Sequence, residues 1–169
     1  MAIKLKAVGL FVKDMATMVA FYHDVVGFAL EWDGVDPSVI MEHDGLRFLL
    51  FGRNDFEELT KQKYTYPNGI NGTFELALDV DTPEEVDKEY HRMVSKGATP
   101  IIEPKTYPWG LRSCYVADPE GNLIEIATWE SGNSLDSQFQ RLGGIFSRDA
   151  TNIITIEMII MQMQAIKPI

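Results

Sequence analysis

An internal repeat restricts this chain more than any other feature of its sequence. Shifting the chain by 68 residues lays Val12 on Val80, Asp14 on Thr82, Tyr22-His23 on Tyr90-His91 and Val26 on Val94. After insertions, a shift of 76 aligns the last strand of each half through Gly45 and Gly121. A repeated supersecondary unit that cannot bury its own sheet must pack against its twin, so the two halves share one fold.

Local signals define the unit. Ile3 to Val12 reads as a strand with Val8, Leu10 and Val12 on one face. Asp14 caps a helix carrying Met18, Val19, Tyr22, Val25 and Val26 at helical spacing, and Gly27 closes it. Strands are predicted over Phe28 to Trp32, Ser38 to Glu42 and Leu46 to Phe51, with turns at Asp33-Gly-Val-Asp-Pro37 and His43-Asp-Gly45. A polar, partly helical connector covers residues 54–71. The order then restarts. Thr73 to Asp81 is a strand, Thr82-Pro-Glu-Glu85 is a capping box with Pro at the first helical position, and Val86, Tyr90, Met93 and Val94 line the helix up to Gly97. A strand near Pro100 to Ile102 precedes a hairpin of Arg112 to Ala117 and Leu123 to Trp129 around Asp118-Pro-Glu-Gly-Asn122, a sequence rich in tight-turn chemistry. The expectation is an α+β fold of two βαβββ modules, residues 1–53 and 72–129, followed by a linker and an apolar extension over residues 130–169.

Composition narrows the function. At 169 residues and 46% hydrophobic the chain can bury a core of its own. A net charge of −10 argues against nucleic acid and anionic membrane as partners, because both need clustered Lys and Arg, and favours a cationic partner. The single cysteine, Cys114, excludes an internal disulfide framework, suits a reducing, cytoplasmic compartment, and falls on strand pattern as a core hydrophobe. The first residues alternate as a strand without a cleavage site, and no apolar run reaches the roughly 18 residues of a membrane span.

Two carboxylates need an explanation. Alternation puts Ile124 and Ile126 on one strand face and Leu123, Glu125 and Ala127 on the other. In the repeat's earlier strand, Phe74, Leu76, Leu78 and Val80 share a face opposite Glu75, Ala77 and Asp79. Either Glu75 and Glu125 bind a cationic or hydrogen-bonding group, one of them acting as general base if its pKa is raised, or each is satisfied by Arg112 or Arg47 in a structural ion pair. Trp32, Tyr107 and Trp109 fall near loop or strand ends, where aromatic walls would suit a flat ligand, whereas Phe48 and Phe51 read as core. The histidines His23, His43 and His91 read as exposed structural residues.

The repeated unit, Phe11-Val-Lys-Asp-Met15 with Ala20-Phe-Tyr-His-Asp-Val-Val-Gly27, and above all Pro108-Trp-Gly-Leu-Arg112 with Asp118-Pro-Glu-Gly-Asn-Leu-Ile-Glu125, resemble the vicinal oxygen chelate superfamily. That superfamily includes glyoxalase I, extradiol dioxygenases, fosfomycin resistance enzymes and metal-free bleomycin resistance proteins. The resemblance covers residues 3–129. It implies curled mixed sheets around a shared cavity, often across a homodimer. In metal-dependent members the ligands come from the first and last strands of each module, which here fall on Ala7, Leu49, Glu75 and Glu125. Ala7 and Leu49 have no donor atom, so a zinc or nickel site is not favoured; a hard divalent ion on Glu75, Glu125 and water is the form a metal site would take.

This points to a small-molecule binding protein of the glyoxalase/bleomycin resistance type, independent of metal or other cofactor, that sequesters a cationic or aromatic compound through Trp32, Glu75, Tyr107, Trp109, Arg112 and Glu125. The alternatives are a divalent-metal lyase, isomerase or dioxygenase with a reduced ligand set, an acid–base catalyst using Glu75 or Glu125, and an interaction module whose cavity has lost its chemistry. Outside the resemblance, residues 152–169 are Ile, Met and Gln with almost no charge, a surface expected to dock on the domain, cover a sheet edge or enter a dimer contact.

Overall fold

The computed structural model describes residues 3–43, 45–108 and 110–129. The sequence expectations for Trp109 and for the extension over 130–169 lie outside these residues. The first module contains β1 (Ala7–Val12), α1 (Met15–Ala20), which runs on as a π-helical segment Phe21–Val26, β2 (Ser38–His43) and β3 (Leu46–Gly52). The connector forms α2 (Arg53–Thr60), and the second module contains β4 (Asn71–Asp79), α3 (Pro83–Ser95), β5 (Thr99–Thr106), β6 (Leu111–Ala117) and β7 (Asn122–Trp129). The strands make two separate mixed sheets, ordered β1-β3-β2 and β4-β7-β6-β5, and do not close into a barrel.

The repeat appears in the register. β1 runs parallel to β3 with Ala7 opposite Arg47 and Gly9 opposite Leu49, while β4 runs parallel to β7 with Glu75 opposite Leu123 and Ala77 opposite Glu125. These pairs superimpose under the same shifts of 68 and 76 that align the sequence. The helix starts also match. Asp14 accepts from Thr17 N at 3.1 Å, and Thr82 forms its capping box with Glu85, whose carboxylate accepts from Thr82 N at 3.0 Å.

One expected strand is missing. Phe28 to Trp32 joins no ladder and turns tightly at its middle, where Leu30 N donates to Phe28 O at 2.8 Å, so the first sheet has three strands where the second has four. This run is core filler. Leu30 is buried, Phe28 stacks on Tyr22 with ring centroids 5.9 Å apart and meets Phe48 at 5.2 Å, and Phe28 N donates to Tyr22 O at the end of the π-helical segment. The hydrophobic signal was real; its periodicity could not separate a ladder strand from a packed, unpaired one.

Both helical layers contribute to one core. Leu10, Val12, Phe48 and Leu50 from the first sheet and Cys114, Val116, Ile124 and Ile126 from the second join Met18, Tyr22, Val86, Tyr90 and Met93 in a single buried cluster. Each fully buried aliphatic side chain contributes about 1.5–3 kcal/mol by removal from water. The helices also bind each other end to end, since Arg92 donates to Val25 O at 2.7 Å and Lys96 Nζ to Asp24 O at 2.7 Å. The second face of each sheet is left outside this core. α2 covers part of the first, where Phe56 packs on Phe11 and Phe51 at 4.2 and 6.0 Å.

The turn between β6 and β7 locks the modules together. Asp118 is 2% exposed. Its carboxylate accepts from the Glu120 and Asn122 amides at 2.9 Å, from Asn122 Nδ2 at 2.7 Å and, across the module boundary, from the Tyr22 hydroxyl at 3.0 Å. Glu120 reaches the other way, accepting from Lys13 N at 2.6 Å and Asp14 N at 3.0 Å at the start of α1 and pairing with Arg53. Gly121 has φ +87, and a Cβ there would collide with the Gly69 carbonyl, so the chain has both a dihedral and a steric reason for glycine.

Gly121→Ala is therefore expected to lower stability by about 2–3 kcal/mol, read as a reduced urea midpoint. Asp118→Ala should destabilise more than Tyr22→Phe, because it strands the buried Tyr22 hydroxyl, whereas Tyr22→Phe leaves Asp118 with three other donors. Burial pushes the Cys114 thiol from its ordinary value of 9.0 up to about 12. The unfolded thiol ionises first, so this contribution is intact below about pH 8.5 and is lost as pH rises toward 12. The urea midpoint should fall over that range, and less steeply in Cys114→Ala.

Candidate functional site

Three strands of the second sheet assemble the site by simple alternation. Glu125 on β7 lies between Tyr115 on β6 and Ala77 on β4, and Glu75 occupies the neighbouring row of β4 opposite Leu123. All of these residues project from the face opposite α3. Glu75 is exposed, whereas Glu125 and Tyr115 are half-buried. Tyr115 is the direct cross-strand neighbour of Glu125, with Glu75 one row away on the same face. Burial, then the charges of Glu125 and Glu75, hold this phenol well above its ordinary value of 10.0, so it remains a proton donor at neutral pH.

The adjoining rows shape the surroundings. Ser113 pairs with Ala127 in the next row; both are small and buried, and the Ser113 hydroxyl has no hydrogen-bond partner among the described residues. Lys105 lies on the other side of Ser113, with its ammonium 4.6 Å from the centre of the Tyr107 ring. Leu111 and Trp129 form the last row. The result is an acidic, hydroxyl-bearing patch bordered by aromatic groups.

Glu75 and Glu125 are the sequence candidates that the structure brings together. Arg112 is on the opposite face, where its guanidinium grips Asp87 of α3 with Nε at 3.2 Å and donates from Nη1 to Thr106 at 3.0 Å. It does not reach Glu125. Trp32 closes its own loop by donating from Nε1 to Asp36 O at 2.8 Å and lines a depression with Ala16, Val19 and His23 on the outer side of α1. Tyr107 begins the β5–β6 turn, its amide donating to Leu111 O at 2.7 Å. Of the histidines, His23 meets Asp24 at 2.7 Å and His91 meets the Asp87 carbonyl at 2.7 Å, both at exposed helix positions. His43 ends β2.

Tyr115 is the residue the sequence reading missed. Its signal was available: counting outward from the Asp118-Pro-Glu-Gly-Asn122 turn places Ala117 opposite Leu123 and Tyr115 opposite Glu125. The first module offers no matching chemistry. The positions equivalent to Glu75, Glu125 and Tyr115 are Ala7, Leu49 and Ile40, with Ile40 directly opposite Leu49.

A cleft of about 520 Å³ does open between the modules, but it is elsewhere. Its walls are mainly apolar, including Val8, Phe28, Met41, Leu78 and Met93, and neither Glu75 nor Glu125 lines it. A zinc or nickel ion, which the family resemblance raises, does not fit the donor set: two carboxylates stand where three or four N, O or S ligands are usual, and the described residues contain no group of three or more His, Cys, Asp or Glu able to hold an ion.

Comparison with known proteins agrees with this architecture. The chain is 28% identical over 126 residues to the uncharacterized protein YraH of Bacillus subtilis (strain 168), covering 73% of this chain and 96% of that one. A glyoxalase/bleomycin resistance protein/dioxygenase from Nocardioides has a similar structure, with a TM-score of 0.67 at 23% identity over 78% of this chain and 87% of its own. A glyoxalase/bleomycin resistance protein/dioxygenase family enzyme from Burkholderia phytofirmans PsJN gives a TM-score of 0.65 at 28% identity, covering 76% of this chain and 100% of its own. The family signature itself spans residues 4–126. With the doubled module, the matching register and that span together, the chain belongs to the Glyoxalase/Bleomycin resistance protein/Dioxygenase superfamily.

Proposed function

We propose that this protein binds a small cationic, aromatic compound on the Glu75–Glu125–Tyr115 face without a metal. The observation that carries this reading is two carboxylates in adjacent rows of one sheet face, beside the Tyr115 phenol, with no cation from the described residues paired to either carboxylate. A ligand ammonium or ring N–H would supply the missing positive charge, and charge-assisted hydrogen bonds to carboxylate are the stronger kind. Trp129 and Tyr107 border the same face and provide flat apolar surface for a ring system. The net charge of −10 favours approach of a cation over long range.

A homodimer completes this reading. In a single chain the face equivalent to the acidic one carries Ile40, 55% exposed, and Phe11, 41% exposed beside Phe56 of α2, with Arg47 and Glu42 in the row next to Ile40. A second copy could set the Ile40 and Phe11 part of that face opposite the acidic one, giving the ligand an apolar wall and a charged wall in one cavity. Sequestration is preferred to turnover because Tyr115, the proton donor of the face, is held neutral far from physiological pH, where it is suited to hydrogen bonding and poorly matched to proton exchange.

Acridine orange, a planar cationic dye, should bind the full chain with saturable fluorescence change and no chemical conversion. Glu125→Gln and Glu75→Gln should each weaken it about tenfold, corresponding to about 1.4 kcal/mol. An anionic dye of similar size should not bind. Equal affinity in wild type and both Gln variants, with folding intact by circular dichroism, would overturn the assignment. Sedimentation velocity should give a dimer, and Ile40→Asp should shift it to monomer.

A further inference from the structure

We infer that residues 152–169 of this chain cover the apolar cleft between the modules, lying against the free side of β4. The cleft measures about 520 Å³, and Val8, Phe28, Met41, Leu76, Leu78 and Val80 along it are each only half-buried. Leu46, also on its wall, is 38% exposed, and Phe74, two residues before Leu76 on β4, is 44% exposed. Beside this apolar surface β4 is the outer strand of its sheet. Among the described residues it pairs with β7 alone, so its other side presents unpaired backbone groups. Apolar walls next to a free strand side form a surface that another length of polypeptide covers well.

Charge selects the occupant. Arg47, Asp79 and Glu89 are the charged residues along the cleft; Glu89 is paired with Arg92, and Arg47 and Asp79 offset each other. Nearly neutral walls favour neither an anion nor the cationic compound assigned to the Glu75–Glu125 face, and they suit an occupant that brings little charge of its own. Residues 152–169 have that chemistry. Their charged side chains are Glu157 and Lys167, one of each sign, in a chain whose net charge is −10, and Ile and Met dominate the rest.

Position favours a contact within one chain. The chain leaves β7 at Trp129, just past Ala127, which pairs with Asp79 and accepts from Val80 N at 2.9 Å; Asp79 and Val80 both line the cleft. Residues 130–151 then precede the apolar segment, and at roughly 3.3 Å per residue they span up to about 70 Å, enough to reach the cleft by any route. A tether of this kind holds the segment at an effective concentration near millimolar, so at micromolar protein it fills its own cleft before that of a second copy.

Photo-crosslinking tests the contact in the full chain. With benzoylphenylalanine replacing Ile159 or, in a second variant, Ile156, irradiation should join the segment to Met41, Leu78 or Met93, read by peptide mass spectrometry. The product should run as a monomer on a denaturing gel. The apolar dye anilinonaphthalene sulfonate should bind wild type weakly, and Ile156→Asp combined with Ile160→Asp should open the cleft and raise dye fluorescence at least about fivefold. Adding Leu78→Lys should remove that gain, with circular dichroism verifying that each variant is folded. The inference is overturned if the crosslinks fall outside the cleft, or if they join two chains, which assigns the cleft to a partner copy's segment. It is equally overturned if wild type already binds the dye as strongly as the Asp variant, which leaves the cleft open to a small molecule, or if Leu78→Lys leaves the gain intact.

Discussion

The structure depends on one buried carboxylate. Asp118 is almost fully enclosed and is acceptable there only because four donors meet it: two backbone amides and one side-chain amide from its own turn, and the Tyr22 hydroxyl from the other module. Local donors shape the turn, which sets the β6–β7 register and so places Tyr115 opposite Glu125. The distant donor ties that turn to the first module. Glu120 adds a second tie, capping the start of α1 through the Lys13 and Asp14 amides, where the helix's unpaired N–H groups favour negative charge. The same five-residue segment therefore holds both the site and the junction.

Duplication has divided the labour between the halves. The two modules share register, helix caps and core positions, yet their open faces differ in chemistry. Where the second carries Glu75, Glu125 and Tyr115, the first carries Ala7, Leu49 and Ile40. Among these positions, side-chain donor atoms come from the second module alone. The cleft lined by Met41, Leu78 and Met93 is separate from this arrangement.

Legibility varied by element for physical reasons. The capping box at Thr82, the N-cap at Asp14 and the Asp118 turn were readable because each rests on contacts within a few residues. Phe28 to Trp32 misled because an apolar run reports burial, and burial in a core cluster requires no ladder partner. Arg112 looked like a companion for Glu125 at short sequence distance. Strand alternation instead turned it toward Asp87, which is 25 residues away in sequence but adjacent on α3. Trp32 had the composition of a ligand wall and proved to be a loop closer bonded to Asp36.

By itself the sequence determined the doubled unit, the helix boundaries, the acidic character, and the absence of a donor atom at Ala7 and Leu49, where the family resemblance implies metal ligands. These are properties of residue type and spacing, which survive without coordinates. Only the tertiary structure decided that Glu75 of β4 joins Glu125 and Tyr115 on one sheet face, that Tyr22 closes the shell of Asp118, and that the inter-module cleft excludes Glu75 and Glu125. Each of those depends on strand pairing or module docking between segments far apart in the chain, and side-chain partners set by such long-range contacts leave no local pattern to read.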